Sequence, residues 1–395
     1  MLALYHRPPR DRPRELAAFV DATIEALPQA PEEAQPPQIR RWLIPEPAMG
    51  RMRWPVPELA TLGDLAAFLE LSLGELEWLA DARGLERTVD DERLHNYRYD
   101  WLARTGSAAR VIERPKRRLK VVQRRLLHEL LDHIPAHPAA HGFTRGRSAR
   151  THAGAHVGHR VVLRMDLEDF FASVQARRVY GIFRVCGYPE AVAHALTSLT
   201  TNVVAARAWA ALPRPREGAR AIAAHHWLGR RLATPHLPQG APTSPALANL
   251  AVFKLDRRLA GLAASLSAVY TRYADDLTFS GSHTLLGHAR SWISMIARDE
   301  GFVTNDAKTA VMTRAGRQRV CGIVVNDHPN VARGEYDMLK AILNNAARNG
   351  PAAENRAHIA DFRAHLLGRI TWIESLNPAR GAKLRRRFEN IVWGP

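Results

Sequence analysis

Residues 269–280, VYTRYADDLTFS, constrain the fold more than any other segment because two β-prone arms flank a tight turn. The turn presents two adjacent carboxylates, Asp275 and Asp276. Two like charges held this close are costly unless a cation lies on them. The segment therefore predicts a β-hairpin whose tip binds a cation. A solvated Asp-Asp turn is the plain alternative, because turns favour aspartate.

An apolar strand is predicted at residues 161–166, VVLRMD, and it ends in a carboxylate, Asp166. Buried strands seldom end in an ionised side chain without a purpose. If this strand lies beside the hairpin in one sheet, Asp166 joins Asp275 and Asp276 in a cluster of three carboxylates. Such a cluster suits two Mg²⁺ ions, with Mn²⁺ as the alternative, and in-line displacement at phosphorus. The two segments together predict polymerase chemistry.

A loop at residues 237–245, LPQGAPTSP, contains Gln239 and Gly240 and precedes a helix predicted from Ala246 to Leu262. Gly240 allows the backbone to come close to a ligand, and the prolines stiffen the loop. Taken alone, the loop also fits a proline-rich connector without chemistry.

The net charge of +17, from 56 Lys and Arg against 39 Asp and Glu, favours a polyanionic partner, with nucleic acid first. A basic surface that is merely solvated is the alternative. The two cysteines, Cys186 and Cys321, have neither disulfide nor zinc spacing, which favours a reduced, cytoplasmic setting. No segment approaches the roughly 20 apolar residues of a membrane span, so no membrane partner is expected.

Local patterns predict that the chain divides into three parts. The first part contains a proline-rich arm, which includes a helix from Glu15 to Leu27, and two short helices capped at Thr61 and Ser72. The second part begins with a basic hairpin and a basic helix, and the third is helical with a basic end. The expected boundaries are 1–94, 95–326 and 327–395.

The aspartate strand, the Gln-Gly loop and the Tyr-x-Asp-Asp hairpin have the order and spacing of reverse transcriptase motifs, so the chain resembles that family. Three further segments resemble its retron branch. Residues 141–148, HGFTRGRS, resemble the loop before the aspartate strand of bacterial enzymes. Residues 152–156, HAGAH, are similar to the retron Asn-Ala-x-x-His signature, with His152 in place of Asn. Residues 320–322, VCG, resemble Val-Thr-Gly, with Cys321 in place of Thr.

The resemblance implies an α+β, right-hand polymerase fold with fingers, a palm of antiparallel sheet and helices, and an α-helical thumb. Accordingly, residues 1–94 are expected to be a small helical extension, residues 95–326 the fingers and palm, and residues 327–395 the basic thumb. The resemblance also makes Asp166, Asp275 and Asp276 the catalytic and metal-binding residues.

The resemblance assigns further residues to the nucleotide and the primer. Phe171 would lie under the sugar and exclude a 2′-hydroxyl, although a core aromatic is the plain alternative. Triphosphate contacts, or else a solvated basic hairpin, are expected at Arg104 and Arg110. Lys308 resembles a lysine that protonates the leaving pyrophosphate. The remaining assignments are the nucleotide pocket, Gln239 and Gly240, and the primer-gripping hairpin, Cys321, Gly322 and Ile323.

The implied activity is an RNA-directed DNA polymerase that copies part of a cognate structured noncoding RNA into RNA-linked single-stranded DNA (msDNA) from deoxynucleoside triphosphates. Antiphage defence and an effector protein as partner follow from the same resemblance. Two alternatives stay open: another bacterial defence reverse transcriptase with a different template or none, and a non-catalytic RNA-binding scaffold. The aspartate triad speaks against the scaffold, because a binding module gains nothing from carboxylates beside phosphates.

Overall fold

The structure, a computed structural model, describes residues 47–81, 84–89, 91–102, 109–212 and 218–393, without the side chains of residues 220 and 283–288. The helix predicted from Glu15 to Leu27 lies outside the described residues. The helices are α1 (Leu62–Leu69), α2 (Leu73–Leu79), α3 (Arg117–Glu129), α4 (Ala149–Gly154), α5 (Phe170–Ser173), α6 (Ala176–Val185), α7 (Glu190–Thr200), α8 (Ala206–Ala210), α9 (Ala219–Leu232), α10 (Ser244–Ala251), α11 (Phe253–Ser265), α12 (His283–Asp299), α13 (Arg333–Asn349), α14 (Pro351–Glu354), α15 (Phe362–Leu376) and α16 (Pro378–Glu389). The strands are β1 (Tyr97–Leu102), β2 (Arg110–Pro115), β3 (Val161–Asp166), β4 (Val269–Tyr273), β5 (Asp276–Gly281), β6 (Ala310–Thr313), β7 (Arg319–Val320) and β8 (Ile323–Val324).

Helices α1 and α2 begin at the two predicted N-caps, Thr61 and Ser72, and each N-cap is part of a capping box. The Thr61 hydroxyl accepts a hydrogen bond from the amide of Asp64 (3.0 Å), whose carboxylate accepts one from the amide of Thr61 (2.9 Å). Ser72 and Glu75 make the same reciprocal pair. Leu65 and Leu69 of α1 and Leu76 and Leu79 of α2 are buried in the main hydrophobic core, which also contains β3 residues. The two helices are therefore part of the core that supports the central sheet.

The central sheet has four strands in the order β4-β5-β3-β6, and every pair is antiparallel. Strand β3 is covered on both faces. Leu163 and Met165 are buried in the main core, whereas Val162, on the other face, is buried in a second core with the C-terminal helices. Mixed helices and an antiparallel sheet agree with the α+β prediction. The predicted strand at residues 161–166 and the predicted hairpin are both confirmed.

A buried polar cluster joins the β1/β2 hairpin to the Gln-Gly loop. The Glu113 carboxylate accepts a hydrogen bond from the Asn202 side chain (2.8 Å) and contacts His236 Nε2 (2.9 Å). Burial disfavours the charged imidazole, but the charge and the hydrogen bond of Glu113 outweigh it, so the pKa of His236 is raised. The Glu113 amide donates to the Gln239 carbonyl (2.8 Å). The hairpin is thereby fixed against the loop.

Gly240 is required by this junction. Its φ is +132°, and an added Cβ would lie 2.8 Å from the carbonyl oxygen of Glu113. The backbone that approaches Gly240 closely is that of strand β2. The expected close approach to a ligand stays a prediction.

The helical prediction after the loop is partly wrong. A single helix was expected from Ala246 to Leu262, but the structure has α10 and α11, separated at Val252 with φ −97° and ψ 9°. The C-terminal region is helical as predicted, and α13, α15 and α16 pack around the second core. Of the described helices, none combines the length and the apolar composition that a bilayer crossing requires.

Helices α15 and α16 cross closely at Gly381. A Cβ added there would overlap the Cα and Cβ of Glu374. We expect Gly381→Ala to lower the free energy of unfolding by about 1 to 3 kcal/mol, because overpacking forces the helices apart. Gly368→Ala, on α15 with no atom within 4 Å of an added Cβ, is the control and should stabilise by about 0.5 to 1 kcal/mol. Urea unfolding measures both, and equal effects would contradict the crossing geometry.

Candidate active site

Two aspartates face each other across the central sheet. The register of β3 and β5 pairs Asp166 directly with Asp276, so both carboxylates lie on one face of the sheet. Asp275 lies in the adjoining turn, and its carbonyl accepts a hydrogen bond from the amide of Leu167 (2.9 Å). The structure therefore brings the three predicted aspartates to one end of the sheet.

The electrostatics of this end disfavour ionised carboxylates. Burial, together with the charges of Asp275 and Asp166, raises the pKa of Asp276 to about 6, although the charge of Arg164 opposes the rise. Arg164 Nε lies 3.4 Å from Asp276 Oδ1. Burial also raises the pKa of Asp166, against the effect of Lys308, which donates to both carboxylate oxygens (2.8 and 3.0 Å).

The donor set fits a hard divalent cation. All three side chains offer carboxylate oxygens, the ligands that Mg²⁺ prefers. The raised pKa values of Asp166 and Asp276 show that these two carboxylates lack sufficient positive charge. Within the described ranges, no three His, Cys, Asp or Glu side chains form a group that could already hold a metal ion. Lys308 takes the place of such a cation on Asp166 in this arrangement.

A buried ion pair supports the hairpin from its apolar face. Arg272 on β4 donates from Nε and Nη2 to the two carboxylate oxygens of Asp256 on α11 (2.8 and 2.7 Å), and both side chains are fully buried. Tyr270 donates to the same carboxylate (2.7 Å). Arg272 Nη1 donates to the carbonyl of Ala274 (2.9 Å), a residue with φ +56°. The pair therefore holds the turn that carries the aspartates.

The segment resembling the bacterial loop, residues 141–148, lies against this turn. The amide of His141 donates to the Arg272 carbonyl (2.8 Å), and Asn249 donates to the Gly142 carbonyl (2.9 Å). A Cβ on Gly142 would lie 2.6 Å from the amide nitrogen of Ala274. Gly142 is therefore the position at which the loop can touch the hairpin backbone.

A network of neutral histidines and hydroxyls covers the polar face of the hairpin. The Thr271 hydroxyl contacts His152 Nδ1 (2.6 Å) and His156 Nε2 (2.7 Å), and His156 Nδ1 contacts the Ser280 hydroxyl (2.7 Å). Burial, with the nearby His141 and Arg272, lowers the pKa of His152 to about 3. Burial lowers the pKa of His156 well below its usual value. The retron-like signature is thus a buried polar support.

The predicted nucleotide residues lie near the aspartates to different degrees. Phe171 is half-buried, with its ring centroid 6.4 Å from that of Phe143, which in turn lies 6.4 Å from Tyr273 of the hairpin. Arg110 is exposed at the start of β2. Arg104 lies outside the described residues. Lys308 contacts Asp166 directly, while Gln239 and Gly240 meet the β1/β2 hairpin.

The predicted primer-gripping hairpin is formed by β7 and β8. Cys321 and Gly322 make its two-residue turn, with φ +46° and +82°, as a type I′ turn requires. Burial, together with the charges of Asp276 and Asp275, raises the pKa of the Cys321 thiol to about 12. The hairpin therefore lies within electrostatic reach of the aspartates, and Ile323 anchors it in the second core.

Several residues that support the hairpins were not predicted from the sequence, although the sequence contains a signal for one pair, Arg272 and Asp256. Arg272 interrupts a β-prone run, and Asp256 lies on the apolar stripe of α11 with Leu255 and Leu259. Opposite charges at two core positions indicate a buried ion pair. Glu113 and His236 offer no comparable pattern.

Comparison with known families agrees with the site. The profile of reverse transcriptases, RNA-dependent DNA polymerases, matches residues 104–339, which include all three aspartates. The chain belongs to the reverse transcriptase family and is an RNA-directed DNA polymerase.

Its relatives identify the branch. The chain is 40% identical to the retron Mx65 reverse transcriptase of Myxococcus xanthus over 88% of this chain and 75% of that protein. It is 37% identical to the retron Mx162 reverse transcriptase of the same organism, over 82% of this chain and 65% of that protein. It is 34% identical to the retron Ec86 reverse transcriptase of Escherichia coli, over 59% of this chain and 63% of that protein. The chain thus spans just under two thirds of the latter two, and it is a retron-type reverse transcriptase.

The neutral histidines predict a pH-dependent stability. Because the pKa of His156 is lower in the folded protein than in the unfolded chain, the unfolded chain binds its proton first below about pH 6.5. We expect the free energy of unfolding to fall with the pH, by about 1.4 kcal/mol per unit for each such histidine. His156→Gln should remove one such contribution from the slope measured by urea unfolding. His226→Gln, at an exposed residue, should retain the wild-type slope.

The buried ion pair predicts a separation of stability from activity. Asp256→Ala leaves the Arg272 guanidinium buried without a partner and should cost about 3 to 5 kcal/mol of unfolding free energy. The apolar variant Asp256→Leu, Tyr270→Phe, Arg272→Met should regain most of this stability. Its rate of DNA synthesis should stay at least about tenfold below wild type, because the Ala274 carbonyl has lost its donor. Full activity in the apolar variant would show that Arg272 does not position the turn.

Proposed function

We propose that this retron-type reverse transcriptase copies part of a cognate structured noncoding RNA into msDNA by two-metal nucleotidyl transfer. The observation that carries the proposal is the cross-strand pairing of Asp166 with Asp276, beside Asp275 in the turn. The retron reverse transcriptases among its relatives support an RNA template of this kind. In the retron scheme, the first primer is the 2′-hydroxyl of a guanosine in that RNA, so the DNA stays joined to it.

Asp166, Asp275 and Asp276 are the residues that would hold two Mg²⁺ ions. When bound, the ions activate the primer hydroxyl and neutralise the charge of the triphosphate. Lys308 Nζ donates a hydrogen bond to Asp166 Oδ1 at 2.8 Å. This contact supports a role in which Lys308 donates a proton to the leaving pyrophosphate.

The nucleotide pocket is proposed to lie between the aspartates and the β1/β2 hairpin. Phe171 follows Asp166 by five residues and is half-buried near Phe143. That position supports a role as the wall that excludes a nucleotide 2′-hydroxyl. Gln239 and Gly240 line the pocket in this proposal, and exposed Arg110 binds the triphosphate through bidentate hydrogen bonds.

The primer is proposed to be held by the hairpin of Cys321, Gly322 and Ile323. Ile323 is buried among the C-terminal helices, so this hairpin and residues 327–395 share one core. The shared core supports a thumb that moves little relative to the primer grip. Fingers and palm at residues 95–326, and an N-terminal extension at residues 1–94, complete the proposed architecture.

The proposal extends to a cellular role in antiphage defence, with an effector protein as partner. The retron resemblance supports it. Plaque counts on cells that carry the native locus with wild type or Asp276→Asn check it. A second candidate, another defence reverse transcriptase with a different template or none, is favoured by His152 and Cys321 in place of the retron Asn and Thr.

The central prediction is a discrete DNA product that depends on the aspartates. Cells expressing the protein with its native upstream locus should yield RNA-linked DNA with fixed ends. Asp275→Asn and Asp276→Asn should reduce this DNA by roughly a thousandfold, since lost metal ligation costs several kcal/mol of transition-state stabilisation. Asp337→Asn, at an exposed helical carboxylate, should leave it unchanged. Sequencing of extracted nucleic acid, before and after ribonuclease treatment, measures the product and its RNA linkage.

The alternatives give different products. DNA with heterogeneous ends that still requires Asp275 favours the second candidate. The same amount of RNA-linked DNA in wild type and Asp276→Asn would exclude this chain as its source.

A further inference from the structure

A basic groove lies beside α3, apart from the catalytic aspartates. Its volume is about 890 Å³, and it is bounded by Trp78 of α2, by residues 93–98 and by the first turns of α3. Eight Lys or Arg side chains line it, and no Asp or Glu of the described ranges does. Its lining residues include none of the predicted site residues.

Among the described residues, half of these cations have no ionic partner. Arg98, Arg117, Lys120 and Arg124 are exposed, and none forms an ion pair within the part of the chain that the structure describes. Three others, at the edge of the groove, pair with acids: Arg93 with Asp91, Arg114 with Asp100 and Arg118 with Glu75. The eighth, Lys116, donates to backbone carbonyls. The groove thus presents four uncompensated positive charges.

The free protein gains no stability from this arrangement. Arg117, Lys120 and Arg124 follow one another at helical spacing on one side of α3, where like charges destabilise a helix. A helix N-terminus favours acids, yet the first turn of α3 contains none. Burial and the charge of Arg98 lower the pKa of Lys116. Burial of the opposite face of α3, which includes Leu119 and Leu126, stabilises the helix. Its charged face is suited to an anion.

The anion must be extended and carry several charges, as a nucleic acid backbone does. Trp78 is 37% exposed at the groove, with the Arg118 guanidinium 5.7 Å from its ring centre. An aromatic ring next to cations suits unstacked bases, which single-stranded RNA offers. An acidic protein segment would use the charges but not this ring. The family's dependence on RNA points the same way.

We infer that this groove binds the backbone of single-stranded RNA at a place separate from the catalytic aspartates. In the cell the RNA is the template RNA, and in this respect the inference rests on the proposed function. The groove holds a part of the RNA that is not being copied, so RNA binding and DNA synthesis use different surfaces.

The test uses the full chain with four neutral substitutions: Arg98→Gln, Arg117→Gln, Lys120→Gln and Arg124→Gln. The control replaces four other exposed cations outside the groove: Arg160→Gln, Arg177→Gln, Arg257→Gln and Arg317→Gln. Both variants carry the same net charge. Fluorescence anisotropy at several KCl concentrations measures binding of a labelled single-stranded RNA, of DNA with the same sequence, and of polyglutamate.

The groove variant should bind the RNA about tenfold more weakly than wild type near physiological salt, and its salt slope should fall by about 3. The control variant should stay within about twofold of wild type. Equal losses in both variants, or an unchanged RNA affinity in the groove variant, overturn the inference. A loss confined to DNA or to polyglutamate also overturns it and assigns the groove to that class of partner.

Two further observations keep the outcome clear. The thermal midpoint of each variant reports folding; if the fourfold variant unfolds, Lys120→Gln with Arg124→Gln should still lower the salt slope by about 1.5. Failure of the proposed function would appear separately, as wild-type cells without RNA-linked DNA. The binding measurement is independent of that result because it involves no synthesis.

Discussion

Mutual repulsion among the carboxylates at the end of β3 and β5 is the constraint on which the surrounding structure depends. Antiparallel register fixes Asp166 opposite Asp276, and burial makes their ionised forms costly. Arg164 and Lys308 offset part of this repulsion. Because the Lys308 side chain is partly exposed, this ion pair can open without disrupting the packed core.

The hairpin is supported by opposite strategies on its two faces. On the apolar face, a fully buried ion pair between Arg272 and Asp256 fixes the turn, with one guanidinium nitrogen left for the Ala274 carbonyl. On the polar face, His152 and His156 satisfy the hydroxyls of β4 and β5 without adding charge. Because this support is uncharged, the electric field at the aspartates is set by the aspartates themselves and by Arg164 and Lys308.

Local sequence patterns predicted the strand Val161–Asp166, the Asp-Asp hairpin and the N-caps of α1 and α2, because each depends on neighbours in the chain. They did not predict the break at Val252 or the anchoring of the β1/β2 hairpin. Glu113 and His236 are 123 residues apart, and only the folded chain makes them partners. The cluster of aspartates was predictable from motif order, whereas the contact between Lys308 and Asp166 needed three-dimensional packing.

Strand β3 lies between the two hydrophobic cores and contributes side chains to both. Leu163 and Met165 face one of them and Val162 the other, where Val320, Ile323 and helices α13, α15 and α16 complete the packing. A chain cut after residue 326 would expose one face of the aspartate-bearing strand to solvent. The C-terminal helices are therefore structural neighbours of the aspartate-bearing strand, and they cannot be exchanged as freely as an appended module.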